Sequence, residues 1–459
     1  MNRSFMGNQG DTSSNIYYIA TDGDDGNPGT INKPWATIQH AASILKKGDT
    51  AYIRGGVYKV NSPVVPKNSG TEQAYIIYSG YNDEKVVIDA SSFDSDASSF
   101  SIDMGVFELD DVAYICIKNI KIANSHAKGI HIKNSNNIEV VHCTTENTFA
   151  CGIAMWDTDT DAQHCNNNRI IGNTVIKANT WDMIPKGMKR GNEPPHEAIS
   201  IAGASNFEVA YNHVYNCDKE GIDVKEVSRY GRVHHNYIHN VDRQGLYADS
   251  WFGKLTDVEF DHNVVTECRG AGMAISVEGG QILVDVRIHH NLIYNNYGTG
   301  ILFGRWGGDG PRKNVNIYNN IIVHNGYGYP GHKELFWITG GIYLFSANLN
   351  DVHISNNVVG DNRAFQIGYS DLYLEEGKDI ETIFREKGID IKHNLIYDRN
   401  DIEYPIYVGW TGNFAYVYPY NGISFVEWPL EFADEAKGNF YLKPPSLAIN
   451  NDDLGSERL

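Results

Sequence analysis

Short apolar stretches of period two run through most of the chain, and each passes into Asn before resuming. The pattern reads RIIGNTVI around Asn173, FEVAYNHVY around Asn212, GRVHHNYIH around Asn236 and VEFDHNVV around Asn263. It continues as VRIHHNLIY around Asn291, VNIYNNIIV around Asn320, VHISNNVV around Asn357 and IDIKHNLIY around Asn394. Successive asparagines are 39, 24, 27, 28, 29, 37 and 37 residues apart. Self-similarity at this period predicts a stack of repeated units, and period-two alternation makes each unit a coil of short strands. The repeat Asn is expected at a bend, in the left-handed conformation or in side-chain ladders between coils.

A second phrase runs in phase with the first. Gly opens a new alternation at Gly129, Gly152, Gly221, Gly245, Gly272, Gly300 and Gly341, and Ala198 takes the same slot in HEAISI. Two strands per coil predict an all-β fold, a right-handed parallel β-helix. Residues 1–50 read as an entry segment. Within it an amphipathic helix at about 35–46 would cover the open end, where unpaired strand edges would otherwise be exposed. The β-helix is expected over 51–430 and a closing tail over 431–459. Long insertions at 174–197 and 330–340 are where function tends to lie on a rigid scaffold.

Composition narrows the class. The chain has 459 residues and a net charge of −19, which argues against nucleic acid as a partner. No apolar run is long enough for a membrane span. The start, MNRSFMGNQGDTSSN, lacks an apolar signal core and fits a mature secreted chain or a cytoplasmic one. The six Cys form no CxxC pair. Cys217 and Cys268 both fall five residues after a repeat Asn, which reads as core packing.

Stacking then predicts which side chains meet, since coils lie about 4.8 Å apart. Counting from the coil Gly, positions +1 and +3 are apolar and point inward. The +2 column reads Ser200, Asp223, Tyr247, Ala274, and the +4 column Ala202, Lys225, Asp249, Ser276. The turn positions before the Gly read Glu197, Glu220, Gln244 and, one earlier, His196, Lys219, Arg243. Ionisable groups thus concentrate on three neighbouring coils. Such a cluster suits β-elimination on a uronate, which needs a base for the C5 proton, a cation for the carboxylate and an acid for the departing O4. Lys225 is the candidate base, provided that its amine can be neutral. Arg243 and Tyr247 are its candidate partners. His196, Lys219, Arg229, Asp249, Trp251 and Arg305 are candidate substrate contacts, and Trp306 and Trp337 further stacking residues. His234, His235, His289 and His290 belong to the repeat phrase and read as structural turn residues.

The segment HEAISIAG…NCDKEGIDVKEVSRYGRVHHNYIHNVDRQGLYADSW resembles the alginate lyases of polysaccharide lyase family 31, and more distantly lyase families 6 and 9. The entry module YYIATDGDDGNPGT…PWATIQHAA is similar to the start of many secreted carbohydrate-active β-helix proteins. The resemblance implies a secreted lyase, monomeric, acting on an anionic polysaccharide such as alginate. Family 6 implies that Glu220, Lys225 and Arg243 stand at a metal-ligand, base and arginine position. Family 9 implies Ca²⁺ at Glu197, Glu220 and Asp223, and a base nearer Tyr247. Lys219 departs from it, standing where family 9 has another acidic ligand. No organic cofactor is implied. Two other functions remain open: a glycoside hydrolase using Glu197 and Glu220 as paired carboxylates, and a noncatalytic glycan-binding β-helix. A polyuronate also requires positive charge where the sugar lies. Lys186, Lys189, Arg190, Lys225, Arg229, Arg243 and Arg305 are therefore expected to form one basic groove.

Overall fold

The computed structural model describes residues 14–93, 104–157, 164–185, 188, 196–328, 338–398, 406–410, 413–417, 424–425 and 432–442. Their strands form three long sheets. The first runs from Ile16–Ile19 to Ile389–Lys392, the second from Gly56–Lys59 to Ser424–Phe425, and the third from Gly105–Asp110 to Ile406–Trp410. Neighbours in each stack pair in parallel and in register, as in Ile199↔Ile222, Ile222↔Leu246, Leu246↔Met273 and Met273↔Ile301 of the third sheet. The exception is an antiparallel strand at Asn413–Val417, added at the end. Each coil therefore contributes one strand to each sheet, a three-sided parallel β-helix rather than a two-stranded coil.

Period-two alternation produces this directly. The +1 and +3 residues, such as Ile222, Val224, Leu246 and Ala248, lie in one continuous core. At the bend between the first and second sheets the repeat asparagines form a ladder. Asn173 N–H donates to Asn212 Oδ1 (2.9 Å), Asn212 N–H to Asn236 Oδ1 (2.9 Å) and Asn236 N–H to Asn263 Oδ1 (3.1 Å), and the ladder continues through Asn291, Asn320 and Asn357 to Asn394. Each Nδ2 also donates to a carbonyl of the preceding coil, as Asn236 does to Val209 O (2.9 Å). A second ladder links Asn296, Asn325, Asn362 and Gln366.

The ladder asparagines are not the residues in the left-handed conformation. That strain falls one residue earlier, on Gly172, Tyr211, His235, His262, His290, Asn319, Asn356 and His393, with φ between 53° and 57° for all but Gly172. The Asn amide is needed for its hydrogen bonds, and the bend is made next to it.

The expected N-terminal helix is α1 (Ile38–Ile44), capped by Thr37, whose side chain accepts from His40 N–H at 3.2 Å. Ile38, Ala41 and Ala42 join the main core. A further helix, α2 (Ile380–Lys387), interrupts the coils before the last first-sheet strand and buries Ile380, Ile383 and Phe384. The six Cys are free and buried, and burial pushes the Cys217 thiol up to about 12, in keeping with packing rather than redox chemistry. In the tail, Phe432 and Phe440 pack onto Leu292, Val323 and Tyr397 of the second sheet.

Asn236→Ala removes the acceptor of the buried Asn212 N–H and the donor to Val209 O. Leaving buried groups unsatisfied costs about 1–3 kcal/mol each, so the urea midpoint should fall by several times more than for the same truncation at the 40% exposed Tyr237.

Candidate functional site

Three consecutive strands of the third sheet, Ile199–Ala202, Ile222–Lys225 and Leu246–Ser250, carry the candidate residues on the face turned away from the core. The face is covered: Glu197, Glu220, Asp223, Lys225, Tyr247 and Asp249 are each no more than 9% exposed. The sequence reading brought these residues together correctly but expected them to stand out into solvent.

Lys225 is the centre of the cluster. Its Nζ donates to Glu197 Oε1 (2.8 Å) and Oε2 (2.7 Å) and lies 3.6 Å from Asp223 Oδ2. Ser200 Oγ donates to Glu197 Oε2 (2.7 Å). Burial would lower the Lys225 pKa, but the charges of Glu197 and Asp223 outweigh it and raise the pKa well above the lysine range. The amine is therefore an ammonium at neutral pH, not the neutral base expected from sequence. For Glu197 burial is opposed by Lys225, Lys219 and His196, and its carboxyl falls to about 2. Asp223 goes the other way: burial, then Glu197, hold its carboxyl well above the usual range.

The remaining carboxylates are crowded. Burial and Glu278 raise Asp249, and burial raises Glu226 and Glu278. Tyr247 donates its hydroxyl to Glu278 Oε1 (2.6 Å), and its own pKa is pushed well above the phenol range by burial and by Asp249. Trp306 sits edge-on to Tyr247, with ring centroids 5.9 Å apart. Arg243 reaches Glu220 Oε1 at 3.4 Å. Glu220 Oε2, Asp223 Oδ1 and Asp249 Oδ1 are buried without a hydrogen-bond partner.

The other candidates are less central. His196 packs edge-on to Trp156 at 4.5 Å, and Trp156 in turn lies beneath the Lys128 ammonium at 5.2 Å. Trp251, 60% exposed, and Phe252 follow the strand that carries Tyr247. Arg305 is exposed and faces Tyr373 Oη at 3.5 Å. Arg229 belongs to the first sheet. Lys186, Lys189, Arg190 and Trp337 lie outside the described residues. The single basic groove is thus not what the described residues build. The cluster is predominantly acidic, because six carboxylates gather around Lys225 while the arginines are distributed over separate sheets and turns. Glu278 and Glu226 were missed from sequence. They fall six and five residues after their coil glycines, just past the +2 and +4 columns that the alternation made visible.

The three-sided parallel solenoid places the chain in a class, the right-handed β-helix proteins. Residues 17–193 match a family model described as Pel9A-like, right handed beta helix region, and residues 165–286 match one described as right handed beta helix region. The chain is 26% identical over 469 residues to the uncharacterized protein YwoF of Bacillus subtilis (strain 168), covering 95% of this chain and 92% of that one. It is 30% identical over 222 residues to pectate lyase PEL9 of Emericella nidulans, covering 42% of this chain and 54% of the lyase. The chain thus spans about half the length of that lyase. Among solved structures, XylC in complex with xylose superposes with a TM-score of 0.53 at 14% identity, covering 86% of each chain.

Truncating Lys225 is expected to destabilise the fold. Lys225→Met leaves Glu197 and Asp223 buried without their cation, a loss of about 3–5 kcal/mol. Adding Glu197→Gln should recover much of that stability. Paired urea denaturation curves of the single and double variants check both statements.

Proposed function

We propose that the third-sheet cluster is the active site of a polysaccharide lyase that cleaves a uronate-containing polysaccharide by β-elimination. The observation that carries this reading is the buried Lys225 ammonium set among carboxylates that retain unpartnered oxygens. The 30% identity to a pectate lyase over 222 residues agrees with it. Pectate and alginate are both polyuronates, and the acidic cluster does not favour one over the other.

In this reading the roles follow from which groups carry protons. Lys225, as a cation, binds the uronate carboxylate and stabilises the charge that develops there when C5 is deprotonated. Arg243 and Lys219 lie on the turns beside it and add to that field. The proton acceptor is Asp249, whose Oδ1 has no partner and whose raised pKa makes it a stronger base than an ordinary carboxylate. Tyr247 keeps its proton at neutral pH and donates to O4 as the bond breaks, with Glu278 fixing its hydroxyl. Trp251 and Phe252 offer exposed rings for sugar stacking.

Calcium fits the donor chemistry: it takes oxygen ligands, and the unpartnered carboxylate oxygens of Glu220 and Asp223 are of that kind. Glu197 is a poorer ligand than the family resemblance implies, since Lys225 and Ser200 occupy both its oxygens. When bound, calcium would supply further positive charge for the uronate. The same saturation of Glu197 weighs against the hydrolase reading, in which Glu197 must exchange a proton with the glycosidic oxygen. Export from the cell, a monomeric state and freedom from organic cofactors accompany this proposal.

Pectate, alginate, polymannuronate and polyguluronate should be incubated with the chain and followed by ultraviolet absorbance of the unsaturated product. Absorbance growth on at least one polyuronate is expected, with Tyr247→Phe and Asp249→Asn slowing it by about 100-fold or more. Reducing ends without absorbance would establish hydrolysis and overturn the reading. Loss of activity on chelation, restored by Ca²⁺, is the expected metal response.

A further inference from the structure

The outer face of the third sheet differs on the two sides of Lys225. Towards the N-terminus the adjoining side chains are short: Ser200 and Ala202 on the first coil, and Ala154 on the second. Beyond them the +4 column opens to solvent. Trp156 is half-buried, and the Lys133 and Asp110 side chains are 34% and 40% exposed. Towards the C-terminus the same column is closed, with Ser276, Phe345 and Ser370 at 0%, 5% and 0% exposure.

An aromatic block closes that side. Leu302, Tyr343, Phe345 and Phe365 pack as one cluster, with Trp306 and Tyr373 against it. The Tyr343 ring lies 5.5 Å from Phe345 and 5.2 Å from Phe365, and Phe345 lies 5.8 Å from Tyr373. Trp306 covers Gly304, where a Cβ would collide with its ring, and meets Tyr247 edge-on. The solenoid's core does not need these rings, because the inward +1 and +3 columns fill it. Leu302 lies two coil steps, about 10 Å, beyond Tyr247, through Ala274. Tyr247 itself leans across the first of these steps to reach Glu278. The space left on this side is one coil deep, which takes one sugar ring of a polymer laid along the stack. Arg305 is exposed at the rim, 3.5 Å from Tyr373 Oη, and offers that ring's carboxylate a cation.

We infer that the lyase attacks polyuronate from its non-reducing end and removes one sugar at a time, with the aromatic block as the stop. The inference rests on the β-elimination proposed above. There Lys225 holds the carboxylate of the sugar that gives its C5 proton to Asp249. The C4–O4 bond breaks and a C4=C5 double bond forms. O4 takes the Tyr247 proton and leaves with the sugar on its non-reducing side. The strand of Tyr247 is the next one from Lys225 towards the block. The departing sugar therefore lies against Trp306 and Arg305, and the rest of the chain runs over Ser200, Ala202 and Trp156 to the open side. Each turnover leaves an unsaturated uronate at the new end. That end keeps its carboxylate for Arg305, and its flattened ring suits an aromatic neighbour, so the product end serves as the next substrate end.

The test uses saturated hexasaccharides of galacturonate, mannuronate and guluronate carrying a fluorescent amine at the reducing end. Labelled fragments are followed by mass spectrometry from the first turnovers. A labelled pentasaccharide should appear first, then the tetrasaccharide and the trisaccharide in order, each lighter by one water than the hydrolytic fragment. Polymer viscosity should hold nearly constant while product accumulates. Arg305→Gln should raise KM several-fold and leave the order unchanged. Trp306→Ala, checked for folding by its melting curve, should add a labelled tetrasaccharide to the first products. Unsaturated fragments of scattered length, a labelled monosaccharide released first, or an intact hexasaccharide beside cleaved polymer would overturn end attack while the lyase reading stands. An unchanged order in a folded Trp306→Ala chain would overturn the block as the stop. Fragments of full hydrolytic mass, or no cleavage of any polyuronate, would overturn the lyase reading and this inference with it. If the Trp306→Ala chain does not fold, the wild-type order of fragments still decides the question.

Discussion

A buried amide that bonds to its own copy on the next coil holds the bend of this solenoid. The asparagine ladder supplies at each step a backbone donor, an acceptor and a side-chain donor in one residue. A bend in a parallel stack interrupts the strand ladder, and buried N–H and C=O groups there would otherwise lack partners. Because each amide is bound on both sides, the coils are locked in register. The apolar +1 and +3 columns then fall inward on every turn, and the +2 and +4 columns fall together on the outer face. The alignment of Asp223 with Tyr247, and of Lys225 above Asp249, is a consequence of that register.

The acidic cluster shows why burial matters more than proximity. On an open sheet Lys225 and its carboxylates would be a screened surface patch of small energetic weight. Covered as they are, each charge is felt by its neighbours, and Glu197 and Asp223 are driven in opposite directions though both lie beside the same ammonium. Glu197 wins the hydrogen bonds of Lys225 and stays ionised; Asp223, at 3.6 Å, receives less of that charge and more of its acidic neighbours' repulsion.

The fold was legible because period-two alternation and a repeated Asn are local signals that survive without three-dimensional information. The third sheet was not counted, since its Gly-led strands and the strands flanking each Asn read as two runs, whereas the Asn bend divides the second run between two sheets. Helix α2 was hidden as well: Asp379 and Gly388 cap it, but eight residues carry too little periodicity to stand out among strands. At the site, the columns identified Lys225, Asp223, Tyr247 and Asp249, whereas Glu226 and Glu278 sit where strands end and the alternation no longer says where a side chain goes. The charge state of Lys225 was unreadable from sequence, because it depends on how Glu197 and Asp223 share one ammonium.

The uneven spacing of the ladder, 24 residues at one step and 39 at another, means that the frame is indifferent to how much chain lies between its rungs. A solenoid of this kind can gain or lose an entire turn without disturbing the turns on either side, provided that the asparagine comes with it. Gene-level duplication of a single coil would therefore lengthen the outer face by one fixed increment, so the length of that face is a property evolution can alter in whole steps.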